Sequence, residues 1–419
     1  MRRAQHATLD DVVNLLAPGM TVFLPGLSGE SLAFFDALKR APQKSAGVRF
    51  IGVHLPGVNK SNYVDISNST TQRAYFMQPH LRPAMEQGRV DLMPLDYPGA
   101  LNDLINAKID IAIGQVSLPN PAATVSLGTT YDFLPAVWQQ ARMRVVQLNP
   151  RMPKTCGSFQ ITLNDCDLIC EAESPLVTNP VGASSSELAA IAQYVAEQIH
   201  DGDTLQLGIG RLPSAVLSAL KGHRNLRIYS GMVTDAAVPL IDCGAIAGDA
   251  SIVTGIALGD EAFYQRLGED QTFYFRPVSE THDVRRIAAI PSFVSINSAV
   301  EVDLFGQVNS ECADGQLIAG VGGMPAFVQG SRLSRNGRAI FCLNSTTTNG
   351  KVSRIVPMLG QGSLVNSPRH ASDILVTEHG IAHLRGLSVH ERATRLIELA
   401  KPELRQGLAE QWDKIRHCL

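Results

Sequence analysis

The sequence offers neither a charged surface nor an apolar anchor. Only 18% of its 419 residues are charged, and 36 Lys and Arg against 39 Asp and Glu leave a net charge of -3. That balance argues against the broad basic face by which a protein holds nucleic acid. No uninterrupted apolar run reaches the roughly 18 residues of a membrane span. Residues 1–16 carry two arginines but reach Asp10 and Asp11 before the apolar core of a signal peptide could form. A cytoplasmic protein with no membrane or nucleic-acid partner is therefore expected. Seven cysteines, at positions 156, 166, 170, 243, 312, 342 and 418, are an odd number in a large chain. Free thiols in a reducing compartment fit better than a disulfide framework. Cys166 and Cys170 have no second cluster to complete a metal site, and the run around them reads as a buried strand.

What the chain does contain is a repeat. Residues 19–38 and 202–220 each run from a short apolar stretch through a glycine-rich turn into a segment with helical spacing. A second echo follows each, at 48–57 and 226–235. The pattern predicts an α/β protein of two related open-sheet domains, 1–180 and 181–419, with a ligand at their junction. In the first domain, strands are expected at 21–25, 48–53, 91–94, 109–113 and 143–148, with helices at 9–16, 32–38, 73–78 and 101–105. Residues 149–180, rich in proline and polar residues, read as a connector. Ser184 or Ser185 is placed to cap a helix over 187–199. Residues 300–308 alternate, which puts Glu301 and Asp303 on one face of a strand and Val300, Val302 and Leu304 on the other.

Three features suggest chemistry. Gly208 and Gly210 follow an apolar strand and precede a helix, so successive backbone N–H groups there can meet a carbonyl oxygen as it gains charge. A tight turn without a ligand explains them equally well. Gly320, Gly322 and Gly323 form a second loop open to close backbone approach, although its spacing is wrong for a dinucleotide fingerprint. Lys351 and Arg354 lie beyond it, suited to phosphates or simply solvated. The loops 115–119 and 126–128 are uncharged but polar and read as a ligand wall. Among the histidines, His54, His282, His379 and His383 fit structural roles better than a zinc motif.

Five ordered segments carry a resemblance that no single glycine motif could: GDTLQLGIGRLP, INSAVEVDLFGQVNSE, GVGGMPAFVQG, GKVSRIVPML and DILVTEHGIAHLRG. In these the chain resembles the acetyl-CoA hydrolase/transferase family across nearly its whole length, especially members similar to 4-hydroxybutyrate CoA-transferase. The resemblance implies paired CoA-transferase-like domains with CoA near their interface, usually in a homodimer. It implies acyl-CoA and a small carboxylate as substrates and no permanently bound cofactor. A glutamate would attack the acyl-CoA carbonyl and pass the acyl group through an anhydride and an enzyme-CoA thioester. Gly208 and Gly210 would support the oxyanion, while Gly320, Gly322 and Gly323 would lie beside CoA.

The chain departs from the family at the nucleophile. Where relatives carry an HTE-like sequence before a methionine, this chain reads Tyr229-Ser230-Gly231-Met232. Gly231 stands at the glutamate position and has no carboxylate. Glu280 is the first replacement to consider. Hydrolysis by water, with Glu280 or His282 as general base, and a non-catalytic CoA-binding descendant are the alternatives. Glu30 is expected to shape the crevice, and Ser230 to make a local backbone hydrogen bond.

Overall fold

A computed structural model describes residues 4–180, 182, 185–347 and 349–418. Two eight-stranded sheets carry the fold. In the first, the chain starts inside at Thr21–Phe23 and steps outward through Arg49–Gly52, Thr71–Ala74 and Val90–Leu92. It then returns to the other side of Thr21–Phe23 with Ile111–Val116, Met143–Leu148 and Leu168–Glu171, and Gln5–Ala7 closes that edge. The second repeats the order. It starts at Thr204–Leu207, steps out through Arg227–Thr234, Ile252–Leu258 and Phe273–Phe275, and returns with Phe293–Ser298, Arg338–Cys342 and Ile374–Thr377. All neighbours are parallel except the last edge strand, Gly380–His383. Parallel strands need crossovers that cover both faces, which is why Ile111–Val116 is buried at every position.

Most expected elements are present with shifted ends, and Met143–Leu148 matches residue for residue. Residues 73–78 are not a helix. Thr71–Ala74 pairs between Arg49–Gly52 and Val90–Leu92 as an interior strand, because sheet pairing overrides a weak local pattern. Nor is 149–180 only a connector, since Leu168–Glu171 extends the first sheet and buries Cys170 completely. Ser185 caps the helix Ser186–Ala196 by accepting from Leu188 N, while Ser184 lies outside the described residues. Asp303 is fully buried and accepts from the backbone N–H groups of Phe305 and Gln307, so it serves a turn. Among the described residues no helix is long and apolar enough to cross a membrane, and no cluster of three metal-ligating side chains is found.

The two units are stitched together by backbone. Isolated bridges join Thr130 to Ile256, Gly157 to Phe275, and Asp96 to Gly322. Ser28 Oγ adds a bond of 2.7 Å to Ala257 O. The largest apolar cluster runs without a break from Phe23 to Val376 and so crosses both sheets.

Candidate active site

In an open parallel sheet, the strand order reverses at one point and leaves a crevice at the carboxyl ends of the two strands on either side. In the second sheet those strands are Thr204–Leu207 and Phe293–Ser298. A cavity of about 280 Å³ opens there, with Gln206, Leu207, Gly208 and Ile209 from one strand and its turn and Asn297 from the other. Ser230, Gly231 and Met232 add a wall from Arg227–Thr234. The loop through Ala319, Val321, Gly322 and Gly323 closes over it, followed by Met324 and Phe327 of the helix Met324–Leu333. The first domain completes the enclosure with Leu55, Pro56, Phe76 and Tyr97. The matching crevice of the first sheet is filled by its own polar side chains. There Gln115 reaches Glu30 O, and Asn149 donates to Gln115 Oε1 at 2.7 Å.

Gly208, Gly231, Gly322 and Gly323 therefore meet on one wall, although the sequence spreads them over more than a hundred residues. Gly210 does not line the cavity. It precedes the helix Arg211–Ala219 at φ +110° and ψ -174°, a conformation closed to other residues, and no side chain caps that helix end. Gly320 lies behind the wall, where a Cβ would collide with Tyr75 O of the first domain. The glycine loop is thus pinned to the other domain, with Met77 N donating to Ala319 O and Tyr97 N to Gly322 O.

His282 dominates the floor. Its ring stacks on Tyr97, with centroids 4.5 Å apart, and tilts against Phe327 at 4.7 Å. It fills the space beside two glycines. A Cβ on Gly231 would lie 2.7 Å from its Cε1, and one on Gly323 would lie 2.8 Å from its Cδ2. The ring is only 3% exposed, and burial pushes its pKa down to about 3, so it is neutral at pH 7. Thr281 Oγ1 lies 3.3 Å from Pro277 O, to which it donates, and 3.0 Å from His282 Nδ1. Either the hydroxyl or the ring can supply the proton of the latter contact, so both tautomers of the neutral imidazole fit this position.

The structure does not bring Glu280 to this cavity. Its carboxylate pairs with Arg276 and with Arg286 at 3.0 Å, and accepts from Ser158 Oγ at 3.2 Å. It sits two residues before His282 on a short helix, Val278–Thr281, and does not line the cavity. No described aspartate or glutamate lines the cavity. Ser230 Oγ donates to Leu207 O at 2.9 Å, as a loop hydroxyl would. The loops 115–119 and 126–128 stay outside the cavity, because Gln115 and Ser126 are tied into buried hydrogen bonds of the first domain.

Arg354 lies on the wall of a neighbouring polar pocket of about 690 Å³, together with Arg211, His379 and Lys401. Lys351 is exposed beside it and is not part of that wall. The turn 208–212 separates the two pockets, since Gly208 and Ile209 face one and Arg211 and Leu212 the other.

Glu30 acts at one remove. It is fully buried, accepts from Tyr63 OH at 3.0 Å and from Asn59 Nδ2 at 2.6 Å, and Asn59 accepts in turn from Leu55 N. It thereby fixes the Leu55 edge of the cavity. Tyr97, Gln206 and Asn297 were not singled out in the sequence. The only signal for the latter two was their place at the ends of apolar strands.

Comparison with known proteins agrees with this fold. Residues 3–178 match the acetyl-CoA hydrolase/transferase N-terminal domain and 259–412 the C-terminal domain. The chain is 33% identical to the 4-hydroxybutyrate coenzyme A transferase of Clostridium kluyveri, over 92% of each chain. It is 34% identical to a succinyl-CoA:cyclohexane-1-carboxylate CoA transferase of Geobacter metallireducens, over 80% of this chain and 79% of that one. Among solved structures, RipA from Yersinia pestis superposes with a TM-score of 0.91 at 28% identity, covering 98% of both chains. A 4-hydroxybutyrate CoA-transferase from Porphyromonas gingivalis gives 0.80 at 29%, covering 99% of this chain and 98% of that one. With both halves matched in order and the paired sheets shared, this chain belongs to the acetyl-CoA hydrolase/transferase family and is an enzyme of its general type, for which CoA and acyl-CoA are substrates.

Proposed function

We propose that this chain moves CoA from an acyl-CoA to a small carboxylic acid, and that the acceptor acid itself does the work of the missing protein carboxylate. One observation carries the reading. The cavity wall holds no described carboxylate, and its one imidazole has a pKa pushed down to about 3. A base that weak is poorly matched to removing a proton from water at neutral pH. An acceptor carboxylate arrives already ionised and needs no base.

The acceptor oxygen attacks the thioester carbonyl and the C–S bond breaks, leaving a mixed anhydride of the two acids and CoA thiolate. The thiolate then attacks the acceptor's carbonyl carbon, the new C–S bond forms, and the original acid leaves as its carboxylate. No proton is transferred in either step. The backbone at Gly208 and Ile209, on the cavity wall, would offer donors to the oxyanion of both tetrahedral intermediates, with Gly210 shaping the turn behind them. Gly322 and Gly323 would form the backbone track for the pantetheine arm, with Gly320 anchoring that loop to the first domain, and Arg354 in the neighbouring pocket, with Lys351 exposed beside it, would meet the phosphates. The names of the two transferase relatives, which differ in their acids, support this reaction class. A homodimer in the cytoplasm is the setting this reading carries over from the family resemblance.

Direct hydrolysis is the second reading, favoured by the presence of the His282 imidazole on the wall. Initial rates with varied acyl-CoA and carboxylate separate the routes. Intersecting double-reciprocal lines, a new thioester and no CoA-modified peptide are expected. Parallel lines with a borohydride-trapped glutamyl adduct would overturn the direct route, and acyl-CoA loss independent of any acceptor would establish hydrolysis.

A further inference from the structure

One polar side chain on the cavity wall is left unpaired by the fold. The amides and the serine of the wall are engaged within the protein. Asn297 Nδ2 donates to Ser295 Oγ at 2.8 Å and to Gln206 Oε1 at 3.2 Å, Ser295 Oγ donates to Gln206 Oε1 at 2.8 Å, and Ser230 Oγ is bound to Leu207 O. The Tyr97 hydroxyl has no hydrogen-bond partner among the described residues. Tyr97 is only 5% exposed, yet its oxygen is not one of the sealed, unpartnered atoms of the interior. It therefore opens on the space that Tyr97 borders, which is this cavity. A buried tyrosine hydroxyl ordinarily finds a partner, and leaving it unpaired is unfavourable.

The group is also held in place and held as a donor. Tyr97 N donates to Gly322 O at 3.1 Å, and the ring packs between His282 and Phe133, with centroids 4.5 and 5.1 Å away. Burial, with Asp132 as a smaller cause, pushes the phenol well above its ordinary pKa of 10, so it keeps its proton. No Lys or Arg among the described residues lines the cavity. A carboxylate that enters must find hydrogen-bond donors instead, because an unpaired charge in such surroundings is expensive. A hydroxyl donating to an ionised oxygen makes one of the stronger hydrogen bonds available.

We propose that Tyr97 receives the acceptor acid, its hydroxyl donating to the carboxylate oxygen that does not attack the thioester. The proposal rests on the reading that the acceptor carboxylate enters this cavity as the nucleophile. As one oxygen attacks and the C–S bond breaks, the other becomes a carbonyl oxygen of the anhydride and stays on the phenol. When CoA thiolate attacks that carbon, the same oxygen gains charge and the hydrogen bond strengthens where it lowers the barrier. The C–O bond to the original acid then breaks and that acid leaves as its carboxylate. Tyr97 keeps its proton throughout.

The test separates recognition of charge from packing. Butyrate and its neutral isostere butyramide are titrated calorimetrically into wild-type protein and Tyr97→Phe, each saturated with CoA, and CoA transfer from butyryl-CoA is followed in wild type. Tyr97→Phe keeps the ring and removes only the oxygen. Its affinity for butyrate is expected to fall about tenfold, with that for butyramide little changed. The ligand-free variant should melt no lower than wild type, because the oxygen removed has no partner to lose. Equal weakening of both ligands, an unchanged affinity for butyrate, or no binding of butyrate by wild type would each overturn the proposal. Loss of butyrate affinity alone, in an enzyme whose wild type transfers no CoA, would sink only the transfer mechanism. Transfer by wild type with butyrate affinity untouched in the variant would sink only the role given to Tyr97.

Discussion

The imidazole of His282 occupies the space in which any side chain on residue 231 would have to begin, with Nε2 2.9 Å from the position of a Cβ on Gly231. The two residues are therefore one unit. A residue with a side chain at 231 and an imidazole at this place in the fold exclude each other.

Gly231→Ala should destabilise the protein by about 1–3 kcal/mol, the usual cost of overpacking a filled site. Adding His282→Ala should make the double variant cost less than the sum of the single changes, because the second change removes the clash created by the first. Urea unfolding of the four proteins checks this. Strict additivity would show that the ring moves aside freely.

Acidification should expose the burial of His282. Its ordinary pKa is 6.5 and its folded value is about 3, so the unfolded chain binds this proton first as pH falls. The contribution to stability is complete above 6.5 and is lost toward pH 3, by about 1.4 kcal/mol for each pH unit between the two. Stability measured from pH 7.5 to 5 should fall less steeply in His282→Phe than in wild type. His54 and His80, also depressed by burial, are common to both proteins and cancel in the comparison.

Glu280→Gln should leave turnover within a few-fold of wild type, since Glu280 is engaged by Arg276 and Arg286 and lies off the cavity wall. A modest loss of stability, on the order of 1 kcal/mol, is expected from weakening a half-exposed ion pair. A collapse of turnover in well-folded protein would return this carboxylate to the mechanism.

The two glycines of the turn should separate in their effects. Gly208 has open space around it, so Gly208→Ala should fold normally but put a methyl group into the cavity and slow turnover. Gly210 holds φ +110°, so Gly210→Ala should lose about 1–3 kcal/mol through backbone strain alone. Paired melting curves and kcat/KM values distinguish the outcomes.

Arg354→Gln should raise KM for acyl-CoA about tenfold with little change in kcat, and should leave a truncated thioester without phosphates unaffected. Equal losses on both substrates would mean that Arg354 supports the fold and does not bind phosphate.

The sequence alone was enough to read two strand, turn and helix units, an α/β fold, the glycine turns and the absence of a carboxylate at 231. These are local: they depend on the period of apolar residues and on which residues lack a side chain. It also allowed His282 to be named, but not its place. Only the tertiary structure put that ring beside Gly231, paired Glu280 with Arg276 and Arg286, and set Gly320 against Tyr75. Each of those contacts depends on the order of strands in a sheet and on how one domain docks against the other. Short segments carry no record of that order. Thr71–Ala74 shows the same limit, because its polar sequence becomes an interior strand only through the neighbours on either side. Pairing and burial are properties of the assembled sheet, and they decided which residues reached the cavity.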